Sequence, residues 1–315
     1  MSFVTDGVER WSTAYHAPVL VDEVLRLLGG ARRVLDGTLG GGGHTAALIE
    51  SGATVTALDR DPDALGEAKG RLSEAVKAGQ LRLVQRNFAD LADPRVLPGE
   101  TFDGILLDLG VSSHQFDDPA RGFSFREGAP LDMRMGPDAT EDASSLLNAW
   151  PEEKLATVFR DFADEPKGGK LAREIVRRRE TERFDTSDSL VNAIRGALGA
   201  RTGPGDFARI FQAVRIAVNH ELSALESALP ALRDRLVSGG ILTVISYHSG
   251  EDRLVKHALR EWSRACVCPP QHPFCVCRGK ALGSLITRKG IEAQQEETAR
   301  NPRARSARLR AWRSA

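Results

Sequence analysis

The chain has 315 residues, 41% hydrophobic and 27% charged, the composition of a globular protein long enough for one large domain or two ordinary ones. Its 43 basic residues balance 43 acidic ones, which argues against a globally basic nucleic-acid binder and leaves phosphate contacts to local clusters. No apolar run is long enough to span a membrane. The start, Met-Ser-Phe-Val-Thr-Asp, lacks the basic-then-apolar pattern of a secretory leader, so a cytoplasmic protein is expected.

In chain order, His16-Ala-Pro-Val-Leu20 leads into a helix that closes over Val24–Leu28. An apolar strand, Arg33 to Asp36, then runs into a carboxylate, four successive glycines (Gly40 to Gly43), His44 and a helix-like stretch, Thr45 to Ile49. The next strand, Thr54 to Asp59, again ends on an acid. This is the pattern of a first βαβ unit that binds an adenosine-containing cofactor. Glycines let the backbone approach the ligand, and an acid at the tip of the second strand can accept hydrogen bonds from ribose hydroxyls. A glycine run alone is also what a flexible turn looks like; the flanking strands and the second acid argue against that reading. Pro62 can start a helix running to about Ala78. Strands follow at Leu81–Gln85 and Phe102–Leu109. Alternating strands and helices predict a parallel sheet with right-handed crossovers.

The alternation then stops. Between Gly110 and about Gly205 no sheet strand is evident, while Leu146–Phe162, Lys170–Arg179 and Ser187–Leu198 have helical apolar spacing. The stretch is too long for one crossover loop. It predicts a helical subdomain at 110–205 inserted into a discontinuous domain of 1–109 and 206–315. A long helix, Phe207–Leu236, should end at Gly239-Gly240, and the sheet should resume at Ile241–Tyr247. Ser284–Thr287 and Ala307–Trp312 could pair as antiparallel edge strands.

Two basic clusters stand out. Residues 167–183 hold Lys167, Lys170, Arg173, Arg177, Arg178, Arg179 and Arg183, with Glu174, Glu180 and Glu182 interleaved. Residues 300–313 hold Arg300, Arg303, Arg305, Arg308, Arg310 and Arg313 with no acid between them. Both suit RNA phosphates; the first equally suits a solvated helix face, and the acid-free tail favours RNA. Four cysteines, Cys266, Cys268, Cys275 and Cys277, fall within twelve residues. Clustered thiols can hold zinc, but Cys-x-Cys departs from the usual zinc-ribbon spacing, so no metal is assigned. Disulfides would be unusual in a reducing compartment.

In a doubly wound sheet the ligand lies at the carboxyl ends of the strands. The residues placed there are the glycine loop, Asp59, Asn87-Phe88, Asp108 and His248-Ser249. Phe88 could pack on an adenine face. Nicotinamide enzymes use G-x-G-x-x-G and seat a diphosphate on a helix N-terminus. Here an acid precedes the glycines and would repel phosphates. A zwitterion with an amino group fits better, which favours S-adenosylmethionine and a methyltransferase over an oxidoreductase. A third reading, an RNA-binding protein without catalysis, is disfavoured by the intact loop, Asp59 and Asp108.

Longer motifs are specific. Asp36-Gly-Thr-Leu-Gly-Gly-Gly-Gly-His44-Thr, Leu58-Asp-Arg-Asp-Pro62, Asp108-Leu-Gly-Val-Ser-Ser-His-Gln115, Arg121-Gly-Phe-Ser-Phe125 and Pro130-Leu-Asp-Met-Arg-Met135 occur in order. Phe211-Gln-Ala-Val-Arg-Ile-Ala-Val-Asn219, Ile245-Ser-Tyr-His-Ser-Gly-Glu-Asp-Arg253 and Asn301-Pro-Arg-Ala-Arg-Ser306 complete the set. The chain resembles, over essentially its whole length, the MraW (RsmH) family of bacterial 16S ribosomal RNA cytosine-N4 methyltransferases. The resemblance implies a Rossmann-like class I α/β fold with a seven-stranded sheet and S-adenosylmethionine as donor. It also implies cytosine 1402 of the decoding centre in the small ribosomal subunit as target. The implied partner is 16S rRNA, with neither membrane nor DNA, and a homodimer is compatible with the chain. Implied cofactor contacts are Gly42, Gly43, His44, Asp59, Phe88, Asp108 and Gln115. Asp108, Asp132 and His248 are the catalytic candidates, with helix or turn capping as the competing reading of the last two. Arg177, Arg178, Arg179, Arg303, Arg305 and Arg308 are the RNA candidates. The chain departs from the family's Ser-Phe-His-Ser-Leu-Glu-Asp at Ser246-Tyr-His-Ser-Gly-Glu-Asp252, where Gly250 lacks an apolar side chain.

Overall fold

The computed structural model describes residues 11, 18–199, 201–269, 274 and 276–315; His16 and Cys275 of the motifs above lie outside them. The described contacts divide the chain into two compact units, 1–110 with 222–315, and 111–221.

The first unit is built on a mixed sheet. Its strands are β1 (Arg33–Asp36), β2 (Thr54–Asp59), β3 (Leu81–Gln85), β4 (Phe102–Asp108), β5 (Leu236–Ser246), β6 (Gly283–Leu285), β7 (Ile291–Glu292) and β8 (Arg308–Ser314). The order is β3-β2-β1-β4-β5-β8-β6, with β7 also pairing β8, so eight strands stand where seven were expected. β1 to β5 are parallel, and β8 runs antiparallel to β5, β6 and β7. Val34, Leu35, Ile105, Leu106 and Leu107 are fully buried. These near-continuous apolar runs belong to strands covered on both faces. The strand order reverses between β1 and β4, which creates a crevice at their carboxyl ends.

Helices α1 (Val21–Leu28), α2 (Gly43–Glu50), α3 (Pro62–Arg71) and α4 (Ser73–Lys77) accompany the first strands. The helix expected from Pro62 to Ala78 is therefore two, separated at Leu72. Asp61 caps α3, its side chain accepting from the Asp63 amide at 3.0 Å, with Pro62 in the first helical position where no donor is required.

The second unit contains α5 (Ser113–Asp117), α6 (Ala143–Ala149), α7 (Glu152–Ala163), α8 (Gly168–Arg179), α9 (Ser187–Leu198) and α10 (Pro204–Asn219). Leu146, Leu155, Phe159, Leu171, Ile175, Leu190, Ile194, Ile210 and Val214 form its core. The expected helix over 146–162 is two, because Trp150 takes the extended backbone that a following proline imposes, and Pro151 caps the second.

The long helix expected over Phe207–Leu236 is also two, α10 and α11 (Glu221–Asp234), broken at His220 with φ 53°. The helical unit thus extends to Glu221, past the expected 205, because α10 buries Phe207, Ile210, Phe211 and Val214 in the helical core. Gly239-Gly240 does not end a helix. It lies inside β5, where the pairing with β4 slips between Phe102 and Gly104, and Gly239 takes φ 80°. A side chain on Gly240 would press the Val237 carbonyl at 2.9 Å. α12 (Ser249–Trp262) and α13 (Gln295–Arg300) complete the helices. None of the described helices is long and apolar enough to cross a membrane.

Two of the long motifs meet inside the helical unit. The buried Asn219 side chain accepts from the Met135 amide at 2.8 Å and donates to the Met133 carbonyl at 2.7 Å. Met133 is held at φ 62°, a conformation that a non-glycine residue adopts at a cost. Replacing Asn219 with Ala strands both backbone groups and should lower stability by about 2 kcal/mol. Chemical denaturation checks this, and an unchanged midpoint removes the clamp.

Candidate active site

The site grows from the ends of three parallel strands of the first unit. β1 delivers Asp36, which is 1% exposed. It accepts from the Thr45 hydroxyl at 2.7 Å and the Thr38 amide at 3.1 Å. Burial raises its pKa against the pull of these bonds, and the charge of Asp108 adds to the rise. β2 delivers Asp59, whose two oxygens are divided. One accepts from the Gly40 amide at 2.8 Å and the other from the Asp61 amide at 2.9 Å. Asp59 therefore fixes the glycine loop. Desolvation pushes its pKa up to about 6, although the side chain retains a partly exposed edge.

β4 delivers Asp108. One oxygen accepts from the Tyr247 hydroxyl at 2.8 Å, and the other lies 3.6 Å from His44 Nδ1. The Asp108 amide donates to Thr38 Oγ1 at 2.6 Å, joining the first and fourth strand ends. Burial and the neighbouring Asp108 hold the Tyr247 phenol well above its ordinary pKa, so it stays a donor. His44 Nε2 sits 2.9 Å from the Val19 carbonyl. A carbonyl only accepts, so Nε2 carries a proton and Nδ1 faces Asp108.

The glycines have distinct reasons. Gly42 caps α2 at φ 72°. A side chain on Gly43 would meet Pro18 at 2.9 Å, and one on Gly37 would meet Leu107 at 2.5 Å and Phe88 at 3.4 Å. At Gly37 and Gly43 the backbone therefore runs close against its neighbours. Three carboxylates beside the glycine loop suit a cationic ligand with an amino group and oppose a diphosphate. They thus fit S-adenosylmethionine, whose sulfonium and ammonium groups are cationic.

The other sequence candidates have local partners of their own. His248 is the N-cap of α12, its Nδ1 accepting from the Glu251 amide at 3.4 Å while Nε2 lies 3.2 Å from a Glu251 oxygen. That is the capping role. A side chain on Gly250 would press the His248 ring at 3.1–3.2 Å. Asp132 lies in the helical unit and forms a two-pronged pair with Arg134 at 2.8 and 2.7 Å. Burial works against its ionisation, but the bonds and charge of Arg134 prevail, and its pKa is lowered. A carboxylate so neutralised is a poor proton acceptor. Gln115, also in the helical unit, closes a capping box with Ser112 at the start of α5. Tyr247 was not singled out from sequence. Its only signal was the departure from Phe in the motif around residue 247.

A parallel sheet with an antiparallel edge, a glycine loop and strand-end carboxylates defines a class I, S-adenosylmethionine-dependent methyltransferase. The chain belongs to the MraW methylase family, whose model matches residues 13–315. Relatives named ribosomal RNA small subunit methyltransferase H are close in sequence. That of Gemmatimonas aurantiaca is 62% identical over 301 residues, covering 96% of each chain. That of Heliobacterium modesticaldum is 45% identical, covering 94% of this chain and 97% of its own. That of Anaeromyxobacter sp. strain K is 46% identical, covering 94% and 96%.

Proposed function

We propose that this chain methylates the exocyclic N4 of a cytosine in the RNA of the small ribosomal subunit, cytosine 1402 of the decoding centre, in the cytoplasm. The observation that carries this reading is Asp108, a carboxylate at the topological switch point, oriented by the Tyr247 hydroxyl. The names of the relatives support the RNA as substrate.

S-adenosylmethionine supplies an electrophilic methyl group on a sulfonium. The protein's task is to position and shield. The N4 lone pair is delocalised into the cytosine ring, and a carboxylate accepting an N4 hydrogen favours the localised form. Asp108 can do this, or it can anchor the donor's amino group; it is placed for either. The amine proton can leave after transfer, so no strong base is required. The helical unit, whose chain departs directly after Asp108, is assigned to substrate recognition, with the target base drawn out of its stack. Radiolabelled methyl transfer to small subunits and to naked 16S rRNA, followed by nucleoside analysis, tests the reading. N4-methylcytidine at one position is expected; a methyl on another atom, or none, overturns it.

Of the two basic clusters, the tail is the better RNA surface. Arg303 and Arg305 are exposed on the short turn Pro302–Ser306, whereas Arg308 pairs with Asp252 and Glu292. On α8, Arg177 and Arg178 both bridge to Glu174, and Arg179 donates to the Leu147 and Trp150 carbonyls at 3.0 and 2.7 Å. Arg179 there closes the end of α6, so a triple substitution of 177–179 mixes RNA and folding effects. Arg303→Gln with Arg305→Gln should weaken particle binding and reduce the salt slope by about two, leaving S-adenosylmethionine affinity intact. Normal binding across salt concentrations would assign both arginines to a solvated face.

A further inference from the structure

The segment between α12 and β6 is not used by the active site. Its ends are tied, since the Leu282 amide donates to the Trp262 carbonyl at 2.8 Å. Among its described residues no helix or strand forms. Phe274 is 79% exposed and Val276 is 75% exposed. A long loop without secondary structure has little to offset the entropy of ordering it.

The thiols supply what is missing. The Sγ atoms of Cys266, Cys268 and Cys277 all lie within 4.8 Å of one another, Cys266 and Cys277 at 3.9 Å. Zinc at about 2.3 Å from each thiolate in tetrahedral geometry places them about 3.8 Å apart. Two amides point at the sulfurs crosswise. Val267 N–H approaches Cys277 Sγ at 3.3 Å, and Val276 N–H approaches Cys268 Sγ at 3.4 Å. Amide donors to sulfur stabilise thiolate charge and are the outer partners that a metal site needs. Cys266 and Cys268 are separated by one residue, as side chains on one side of an extended segment are.

We propose that Cys266, Cys268 and Cys277 bind a structural zinc ion that clips the end of α12 to the start of β6. The competing reading is a disulfide between Cys266 and Cys277, which leaves unexplained why the third sulfur and its amide donor converge on the same point.

The test uses the full chain, purified under reducing conditions without chelator and exchanged into metal-free buffer. Elemental analysis is expected to find about one zinc per chain. The apo protein titrated with Co(II) should develop the visible bands and sulfur-to-metal charge transfer of a tetrahedral thiolate site. Cys266→Ser, Cys268→Ser and Cys277→Ser should each weaken metal affinity about tenfold or more. If a variant fails to fold, the wild-type zinc content and cobalt spectrum decide. A wild-type chain that retains no zinc and gives no thiolate spectrum overturns the proposal. So does zinc that survives all three substitutions, or a Cys266–Cys277 disulfide in the metal-free, reduced preparation.

Discussion

Asp108→Ala is expected to lower methyl transfer by about a thousandfold, roughly 4 kcal/mol of transition-state stabilisation, in a protein that remains folded. The size follows from position. The carboxylate stands at the end of β4, one oxygen accepting from the Tyr247 hydroxyl and the other 3.6 Å from His44 Nδ1. The fold should survive because the link between strand ends runs through the Asp108 amide and Thr38, which the substitution leaves in place. Asp108→Asn keeps the shape and removes the charge, which separates the two roles. A fall in turnover with unchanged S-adenosylmethionine affinity assigns Asp108 to the cytosine amine. A parallel loss of affinity assigns it to the donor. Near-wild-type turnover in folded Asp108→Ala removes it from the reaction.

Asp59→Ala should weaken S-adenosylmethionine binding by about 3 kcal/mol, the upper range for hydrogen bonds to a charged group. The carboxylate holds the glycine loop through Gly40, and we propose that it also accepts from the ribose hydroxyls, so two effects combine. Its raised pKa of about 6 adds a pH signature. Below that value the carboxyl is protonated and loses acceptor capacity, so affinity should rise as pH rises through about 6. Stability has the opposite sign. Because the folded pKa lies above the ordinary 3.8, this group's favourable contribution is full below 3.8 and is lost as pH rises through about 6. Calorimetric titration of the wild type and Asp59→Asn across this range is decisive. A profile equally steep in both proteins would show that another group titrates.

Sequence alone was enough for the first four strands and their parallel alternation with helices. Val34 and Leu35 before Asp36, and Ile105 to Leu107 before Asp108, are apolar runs of the kind that strands covered on both faces carry, and each ends on an acid. A glycine turn after β1 was legible, and Gly42 at φ 72° fits it; that Gly43 lies against Pro18 was decided by the fold. The helix breaks at His220 and Pro151 were less legible. Apolar spacing continues across both, and only the packing of α10 into the helical core rotates the chain between α10 and α11.

The tertiary structure decided the company each side chain keeps. His248 looked like a reactive group after a strand, but the start of α12 takes its ring as a cap. Asp132 looked like a spare carboxylate until Arg134 folded back on it. The six candidate arginines were equivalent as letters, yet folding pairs Arg177 and Arg178 with Glu174, seats Arg179 on two carbonyls and pairs Arg308 with Asp252 and Glu292. Composition and period fix which residues face a core, because burial of apolar surface is local to each element. Pairing of charges and hydrogen bonds joins residues as distant as Asp108 and Tyr247, and that is set only when the strands lie side by side.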